Sequence, residues 1–190
     1  MQTRARIGQT LIELAQGDIT HQDVDAIVNA ANTSLLGGGG VDGAIHRAAG
    51  PHLLEETRTL GGCPTGQARI TKGYNLTARH VIHAVGPVYH PGDAAVAGLL
   101  ASAYRRSLEI AAEHHLRSVA FPSISTGAYG YPLNEAAPIA LGTVVEFACE
   151  HPQPELIRFV LFDARTLQAY ADAFTALNER FSDLKFVDEL

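Results

Sequence analysis

Short apolar runs alternate along the chain with longer amphipathic segments, which is the pattern of an α/β fold in which helices cover a sheet. The segment at 10–15 alternates apolar and polar residues, as a partly exposed strand does, and the segment at 26–29 has the apolar character of a buried strand. The pattern predicts six strands, at residues 10–15, 26–29, 67–72, 80–85, 118–122 and 156–162. It also predicts four helices, at residues 41–49, 96–114, from near 138 to 149, and 164–181.

Local signals predict some of the boundaries between these elements. Pro138 has no backbone N–H, and its ring clashes with the preceding helical turn, so we expect the third helix to begin close to it. The turn residues Gly73-Tyr74-Asn75 predict a hairpin between the strands on either side of them. We expect the acidic end of the chain, residues 182–190, to be a frayed terminus.

The composition narrows the classes of protein to which the chain can belong. A chain of 190 residues with 46% hydrophobic and 18% charged residues is expected to form one globular domain. It carries 14 Lys and Arg against 20 Asp and Glu, a net charge of -6. Proteins that bind duplex nucleic acid through its phosphates usually carry an excess of basic residues, so such a partner is not expected.

No segment predicts a membrane span, an export signal or a metal site. No apolar run approaches the ~20 residues that cross a bilayer, and the two arginines among the first six residues precede no apolar signal segment. Cys63 and Cys149 lie far apart, with no second Cys and no His at metal-ligand spacing. We therefore expect a cytoplasmic protein with reduced thiols, no membrane contact and no metal ion.

Segments rich in Gly and small polar residues follow three of the predicted strands. They are Gly17-Asp18-Ile19-Thr20, then Asn29-Ala30-Ala31-Asn32 leading to four glycines, and Ser125-Thr126-Gly127-Ala128-Tyr129-Gly130. Phe162-Asp163 ends a fourth strand. If these strands are parallel, the segments gather at one edge of the sheet, where open α/β sheets bind their ligands.

The glycines at 37–40 suit close approach to a phosphate or a sugar hydroxyl, because they lead into the N-terminus of a helix. They match neither a Walker loop nor a dinucleotide fingerprint, and a flexible turn is the alternative. Asp42 lies in the first turn of that helix, and His46 follows on the same face. An ionised Asp is a weak base that suits the orientation of a water or a hydroxyl, and a carboxylate that merely stabilises the helix terminus is the alternative.

The loop at 125–130 combines small residues with Tyr129, in a form that suits a diphosphate. The alternative is an ordered connection without a ligand. Phe162 is interpreted either as a stacking face for a base or as a core residue. His80, His83 and the pair His114-His115 have no metal-ligand spacing and are interpreted as structural or surface histidines.

Five motifs, in order along the chain, closely resemble those of the macrodomain family, and most of all its MacroD-like branch of ADP-ribose hydrolases. The matching motifs are Gly17-Asp18-Ile19-Thr20, residues 26–32, residues 37–46, Val81-Ile82-His83-Ala84-Val85-Gly86-Pro87 and residues 123–132. The resemblance covers about residues 10–170 and implies that 1–190 is a single macrodomain. It also implies a three-layer α/β/α fold with a central mixed, largely parallel sheet.

The resemblance implies that ADP-ribose lies across the strand ends. Asp18 matches the carboxylate that accepts from the adenine amine, Ile19 its neighbour at the base, and Phe162 the aromatic residue packed on the adenosine. The remaining matches are Ser125, Thr126, Gly127, Ala128 and Tyr129 at the diphosphate, Asn32 and Asp42 at the distal ribose, and Gly40 and Val41 beside it.

The activity that the resemblance implies is removal of mono-ADP-ribose from acidic side chains of proteins, with O-acetyl-ADP-ribose as a related substrate. Asp42 would hold the attacking water and Asn32 the ribose hydroxyls, with no cofactor or metal, and His46 is a candidate for supporting Asp42. ADP-ribosylated ends of nucleic acids would fit the same cleft. The alternatives are a module that binds ADP-ribose without turnover, an ADP-ribose phosphate phosphatase, and a nicotinamide-dependent oxidoreductase, whose glycine fingerprint is missing.

Overall fold

The computed structural model describes residues 1–187, and in this part of the chain eight strands form one mixed sheet. The strands are β1 Arg4–Ile7, β2 Thr10–Gln16, β3 Ala26–Ala31, β4 Ala68–Lys72, β5 His80–Val85, β6 Ser118–Phe121, β7 Leu156–Leu161 and β8 Lys185–Phe186. Their order across the sheet is β4-β5-β3-β6-β7-β2-β1-β8. The neighbours from β5 to β2 are parallel, whereas β4, β1 and β8 pair antiparallel at the two edges.

Helices cover both faces of the sheet. They are α1 Gly40–Ala49, α2 Pro51–Arg58, α3 Ala95–Glu113, α4 Leu133–Glu150 and α5 Ala164–Ala176. One face packs against α3, α4 and α5 around a core that includes Tyr104, Phe121 and Phe159. The other face packs against α1 and α2 around Ile27 and Ile45. The predicted three-layer α/β/α architecture is confirmed, and no helix within residues 1–187 is long and apolar enough to cross a membrane.

The six predicted strands are all present, and the hairpin between β4 and β5 is confirmed. The sequence pattern did not predict β1, α2 and β8, because each is short and at least half of the residues in each are polar. The expectation of a frayed end at 182–190 was wrong for the described part. Leu184 is buried, and β8 pairs with β1. Residues 188–190 lie outside the described residues.

The predicted start of the third helix at Pro138 was wrong. The helix α4 begins at Leu133, and Pro138 is its sixth residue. A proline inside a helix leaves the carbonyl four residues earlier without its donor. Here that carbonyl belongs to Asn134, and both residues lie on the exposed side of α4, where the unpaired carbonyl has access to solvent.

Candidate functional site

A cleft of about 260 Å³ opens at the carboxyl ends of the neighbouring strands β3 and β6. One wall comes from the segment between β3 and α1, and the other from the loop between β6 and α4. The lining residues are Ala30, Ala31, Asn32, Gly38, Gly39, Gly40, Val41, Asp42, Gly86, Ser123, Ile124, Ser125, Gly127, Ala128 and Tyr129. The parallel sheet therefore brings together two of the loops that the sequence predicted to meet.

Asp42 and Asn32 face the same point of the glycine segment. A Cβ atom added at Gly38 would lie 3.2 Å from Asp42 Oδ2 and 3.4 Å from Asn32 Nδ2. The Asn32 amide is held in place, because its Nδ2 donates to the Gly37 carbonyl at 2.9 Å and its Oδ1 accepts from Ser34 Oγ at 2.6 Å. A carboxylate and an amide thus stand side by side at the cleft wall, next to the N-terminus of α1.

The helix α1 carries Asp42 in its first turn and packs closely against the glycine segment. A Cβ atom at Gly43 would lie 2.6 Å from the Gly38 carbonyl oxygen, closer than any side chain is tolerated. Glycine at position 43 is therefore what allows the loop to contact the helix. The negative charge of Asp42 in this first turn is stabilised by the helix dipole.

Behind Asp42, a chain of buried polar side chains crosses from α1 to the edge of the sheet. Asn29 Nδ2 donates to Asp42 Oδ1 at 2.8 Å and lies 3.1 Å from His83 Nδ1. His83 Nε2 lies 3.0 Å from Thr71 Oγ1. From the sequence alone His83 is interpreted as a structural or surface histidine, with no connection to Asp42. Asn29 and His83 are directly opposite one another in the β3–β5 pairing, and only that register brings them together.

The histidines near this chain differ in their surroundings. Burial, followed by the proximity of His46, lowers the pKa of His83 from 6.5 to about 3, so the His83 ring is neutral near pH 7. His46, the predicted support of Asp42, has its Nε2 at 3.4 Å from Asp42 Oδ1, without hydrogen-bond geometry. Within residues 1–187 no three His, Cys, Asp or Glu side chains are grouped to hold a metal ion.

The low pKa of His83 makes stability depend on pH. The unfolded ring binds a proton near pH 6.5 and the folded ring only near pH 3, so the unfolded state binds more protons between these values. We expect this group to lower the free energy of unfolding by about 1.4 kcal/mol per pH unit as the pH falls below 6.5. Denaturant unfolding at several pH values measures the slope. The His83→Gln variant should give a slope shallower by that amount, and equal slopes would contradict the prediction.

The second wall of the cleft is a loop anchored from beneath by two buried tyrosines. Tyr104 Oη accepts from the Ile124 backbone N–H at 2.9 Å, and Tyr170 Oη donates to Ser123 Oγ at 2.9 Å. The Ser125 carbonyl accepts from the Tyr131 N–H, which closes the loop. In the part of the chain that the structure describes, no hydrogen bond uses a backbone N–H of residues 125–129 as its donor. These N–H groups are available to an anion.

Gly86 allows the loop to come close to the end of β5. A Cβ atom there would lie 2.2 Å from Ser125 Oγ and 2.4 Å from Ile124 Cγ2. Ser125 itself has a positive φ of 67°, and its buried hydroxyl has no hydrogen-bond partner in the described structure. In the sequence Gly86 belongs to one of the five matching motifs, but its motif does not predict a place in the site. Its role depends on a contact between distant segments that no local pattern shows.

Among the residues predicted to contact the ligand, those that do not line the cleft are Asp18, Ile19, Phe162 and Thr126. Asp18 and Phe162 follow β2 and β7, whose ends are joined by the hydrogen bond from the Gly17 N–H to the Leu161 carbonyl. They therefore continue the row of strand ends beyond the cleft. Ile19 is buried in the core under α1, and the Thr126 hydroxyl turns back to Ser123.

Asp18 and Phe162 have the exposure that a ligand contact requires. Asp18 Oδ1 accepts from the Thr20 hydroxyl at 2.7 Å and from its backbone N–H at 2.9 Å, which fixes the carboxylate, and Oδ2 lies 3.8 Å from His21 Nδ1. These two hydrogen bonds lower the pKa of Asp18, so it is ionised near pH 7. Phe162 is 82% exposed, which rules out the core alternative and leaves its ring face free.

The comparisons with known proteins agree with this geometry. Residues 28–140 match the family described as Macro domain. The chain is 53% identical to the O-acetyl-ADP-ribose deacetylase of Enterobacter cloacae, with 86% of this chain and 93% of the relative covered. Its fold is similar to that of the Oceanobacillus iheyensis macrodomain with ADP, at a TM-score of 0.91 and 43% identity, covering 95% of this chain and 98% of the other. It is also similar to the Trypanosoma brucei macrodomain in complex with ADP-ribose, at a TM-score of 0.80 and 48% identity, covering 85% and 68% of the two chains. The chain therefore belongs to the macrodomain family.

Proposed function

We propose that this chain binds ADP-ribose and hydrolyses acyl esters of it, removing mono-ADP-ribose from acidic side chains of proteins and the acetyl group from O-acetyl-ADP-ribose. The observation that carries the proposal is the pair Asp42 and Asn32, which face one point of the cleft wall beside the free N–H groups of the loop at 125–129. The deacetylase and the ADP-ribose complex among the relatives support the same ligand.

The row of strand ends gives the ligand its orientation. Adenine lies at Asp18 and Phe162, beyond the ends of β2 and β7, and the distal ribose lies at Asn32, after β3. Three strand spacings of about 4.8 Å separate β2 from β3, so the span is about 14 Å, which suits an extended dinucleotide-sized ligand. The diphosphate then falls between the ends, at the N–H groups of residues 125–129 and the N-terminus of α1, which bind anions without Lys or Arg.

The chemistry follows from this orientation. The carboxylate of Asp42 accepts a hydrogen bond from a water and orients it toward the ester, while Asn32 fixes the ribose hydroxyls. Water then cleaves the ester bond, and the products are ADP-ribose with a free hydroxyl, the carboxylate of the released acyl group and one proton. Where the acyl group is attached to the anomeric carbon, an oriented carboxylate also stabilises the positive charge that develops on the sugar as the ester bond breaks.

The test is a comparison of turnover and binding with the purified chain. Three substrates are supplied: a glutamate-modified mono-ADP-ribosylated protein, O-acetyl-ADP-ribose and an oligonucleotide ADP-ribosylated at its end. We expect release of ADP-ribose from the protein and of acetate from the small molecule, and calorimetry should show ADP-ribose binding. Binding without release from any substrate would replace the hydrolase with a module that only binds ADP-ribose, and an absence of both would overturn the proposal.

A further inference from the structure

The buried polar chain behind Asp42 lies outside the cleft and has no part in the chemistry described so far. Its members Asn29, Thr71 and His83 are at most 3% exposed, and none of them lines the cleft. Thr71 belongs to the edge strand β4, which lies three strands away from β6, the strand that the loop at 125–129 follows. Burial of polar groups in an otherwise apolar layer costs free energy even when they are hydrogen-bonded. A continuous line of such groups therefore indicates that their orientation has a role.

The donors and acceptors along this chain fit one proton arrangement. The Thr71 hydroxyl donates to the Lys72 carbonyl at 3.1 Å, so its oxygen accepts from His83 Nε2. His83 Nδ1 then carries a lone pair and accepts from the Asn29 amide. The two hydrogens of Asn29 Nδ2 are thereby divided between His83 and Asp42.

The opposite tautomer would place the wrong atom against Asp42. With its proton on Nδ1, His83 would face the amide hydrogens of Asn29, and the amide would rotate to offer its oxygen instead. That rotation would bring Asn29 Oδ1 against Asp42 Oδ1, two acceptors without a hydrogen between them. In the observed orientation Asn29 Oδ1 is buried without a partner, so the contacts of Nδ2 alone hold the amide in place.

We propose that Thr71 and His83 are positioning residues. Thr71 keeps the proton of His83 on Nε2, and His83 in turn orients Asn29 so that its amide anchors one oxygen of Asp42. Oδ1 of Asp42 is then tied to Asn29, and Oδ2 is left beside Gly38 at the cleft wall. The proposal rests on the proposed function, in which Asp42 orients the water. The low pKa of His83, caused by burial and by His46, keeps the ring neutral during any assay near pH 7, so the tautomer is the variable that remains.

Substitutions at Thr71 test the proposal without touching the cleft. Thr71→Val keeps the shape of the side chain but removes the acceptor of the Nε2 proton, and Thr71→Ser keeps the hydroxyl. The matched control is Thr143→Val, which removes another buried hydroxyl, bonded to the Ile139 carbonyl in α4 on the opposite face of the sheet. Circular dichroism and thermal unfolding confirm that each variant is folded.

We expect Thr71→Val to lower kcat by about tenfold, because it removes one neutral hydrogen bond that holds Asp42 in position. KM and the Kd for ADP-ribose should stay within about twofold of wild type. Thr71→Ser and Thr143→Val should retain wild-type kcat. Two results would overturn the proposal: wild-type kcat in Thr71→Val, or a loss in this variant that appears equally in the Kd for ADP-ribose, which would indicate a deformed cleft.

Nitrogen NMR of protein labelled at histidine separates this proposal from the proposed function. The wild-type spectrum should show His83 protonated on Nε2, and Thr71→Val should shift the proton toward Nδ1. A wild-type protein with the proton on Nδ1 overturns the positioning role, whether or not the chain turns substrate over. A wild-type protein without turnover, but with the Nε2 proton and its loss in Thr71→Val, overturns the proposed function and leaves the hydrogen-bond arrangement supported.

Discussion

Replacement of Asp42 by Asn is expected to lower kcat for release of ADP-ribose from a modified protein by roughly 10²- to 10⁴-fold, the contribution of one well-placed acid–base group. Asn has nearly the same shape, and its side-chain oxygen can still accept from Asn29, so the buried contacts behind the cleft are kept. What disappears is the negative charge that orients the water and stabilises developing positive charge. Steady-state release of ADP-ribose, measured beside the calorimetric Kd, gives the result.

The control for lost charge is Asp172→Asn, which neutralises an exposed carboxylate on α5 and should leave kcat unchanged. The affinity of Asp42→Asn for ADP-ribose should stay within a few-fold of wild type, because the contacts proposed for the diphosphate and the adenine are elsewhere. Equal rates for Asp42→Asn and wild type would remove Asp42 from the mechanism. A loss of ADP-ribose affinity as large as the loss of kcat would assign Asp42 to binding instead.

The edge of the sheet at which the site lies could be predicted from the sequence. Apolar runs followed by Gly and small polar residues occur three times, and parallel strands place such loops side by side. The α1 helix was also predictable, because its apolar spacing and the glycines before it are local signals. These features depend on residues close together in the chain, so they can be predicted without knowledge of the tertiary structure.

The support behind Asp42 could not be predicted, because it depends on strand register. Asn29 and His83 are 54 positions apart in the chain and become opposite one another only when β3 and β5 pair. Thr71 reaches His83 from the diagonal position on β4, which pairs antiparallel with β5. Each residue alone has the sequence context of a buried strand position, and nothing local distinguishes it from a residue that only fills the core.

The solvent exposure of individual side chains also could not be predicted from the sequence. Phe162 follows five apolar or aromatic residues within β7 and had the pattern of a core residue, yet it lies just after the strand ends and its ring faces solvent. Pro138 shows the converse: a local rule predicted a helix boundary, and the exposed side of α4 tolerates the missing hydrogen bond. In both cases the outcome depends on which side of an element meets water, and that is set by the packing of the whole domain.

The second large effect is expected at the adenine end of the row of strand ends. Asp18→Ala should weaken ADP-ribose binding by about 1–3 kcal/mol, because a charge-assisted hydrogen bond from the adenine amine to the carboxylate is lost. The same substitution also removes the acceptor for the Thr20 N–H and hydroxyl, which shape the turn that follows. Calorimetry with Asp18→Ala alone therefore measures the sum of a ligand contact and a structural one.

Asp18→Asn separates these two contributions. Its side-chain oxygen can keep both hydrogen bonds from Thr20, while its amide group takes the place of the outer carboxylate oxygen and opposes the adenine amine with a second donor. Asp18→Asn should therefore lose ADP-ribose affinity through the ligand contact alone, yet gain affinity for the hypoxanthine analogue, whose carbonyl oxygen at C6 replaces the amine. Wild type should show the opposite preference. If Asp18→Asn binds ADP-ribose as tightly as wild type does, or if the two bases are bound alike by both proteins, Asp18 does not recognise the base.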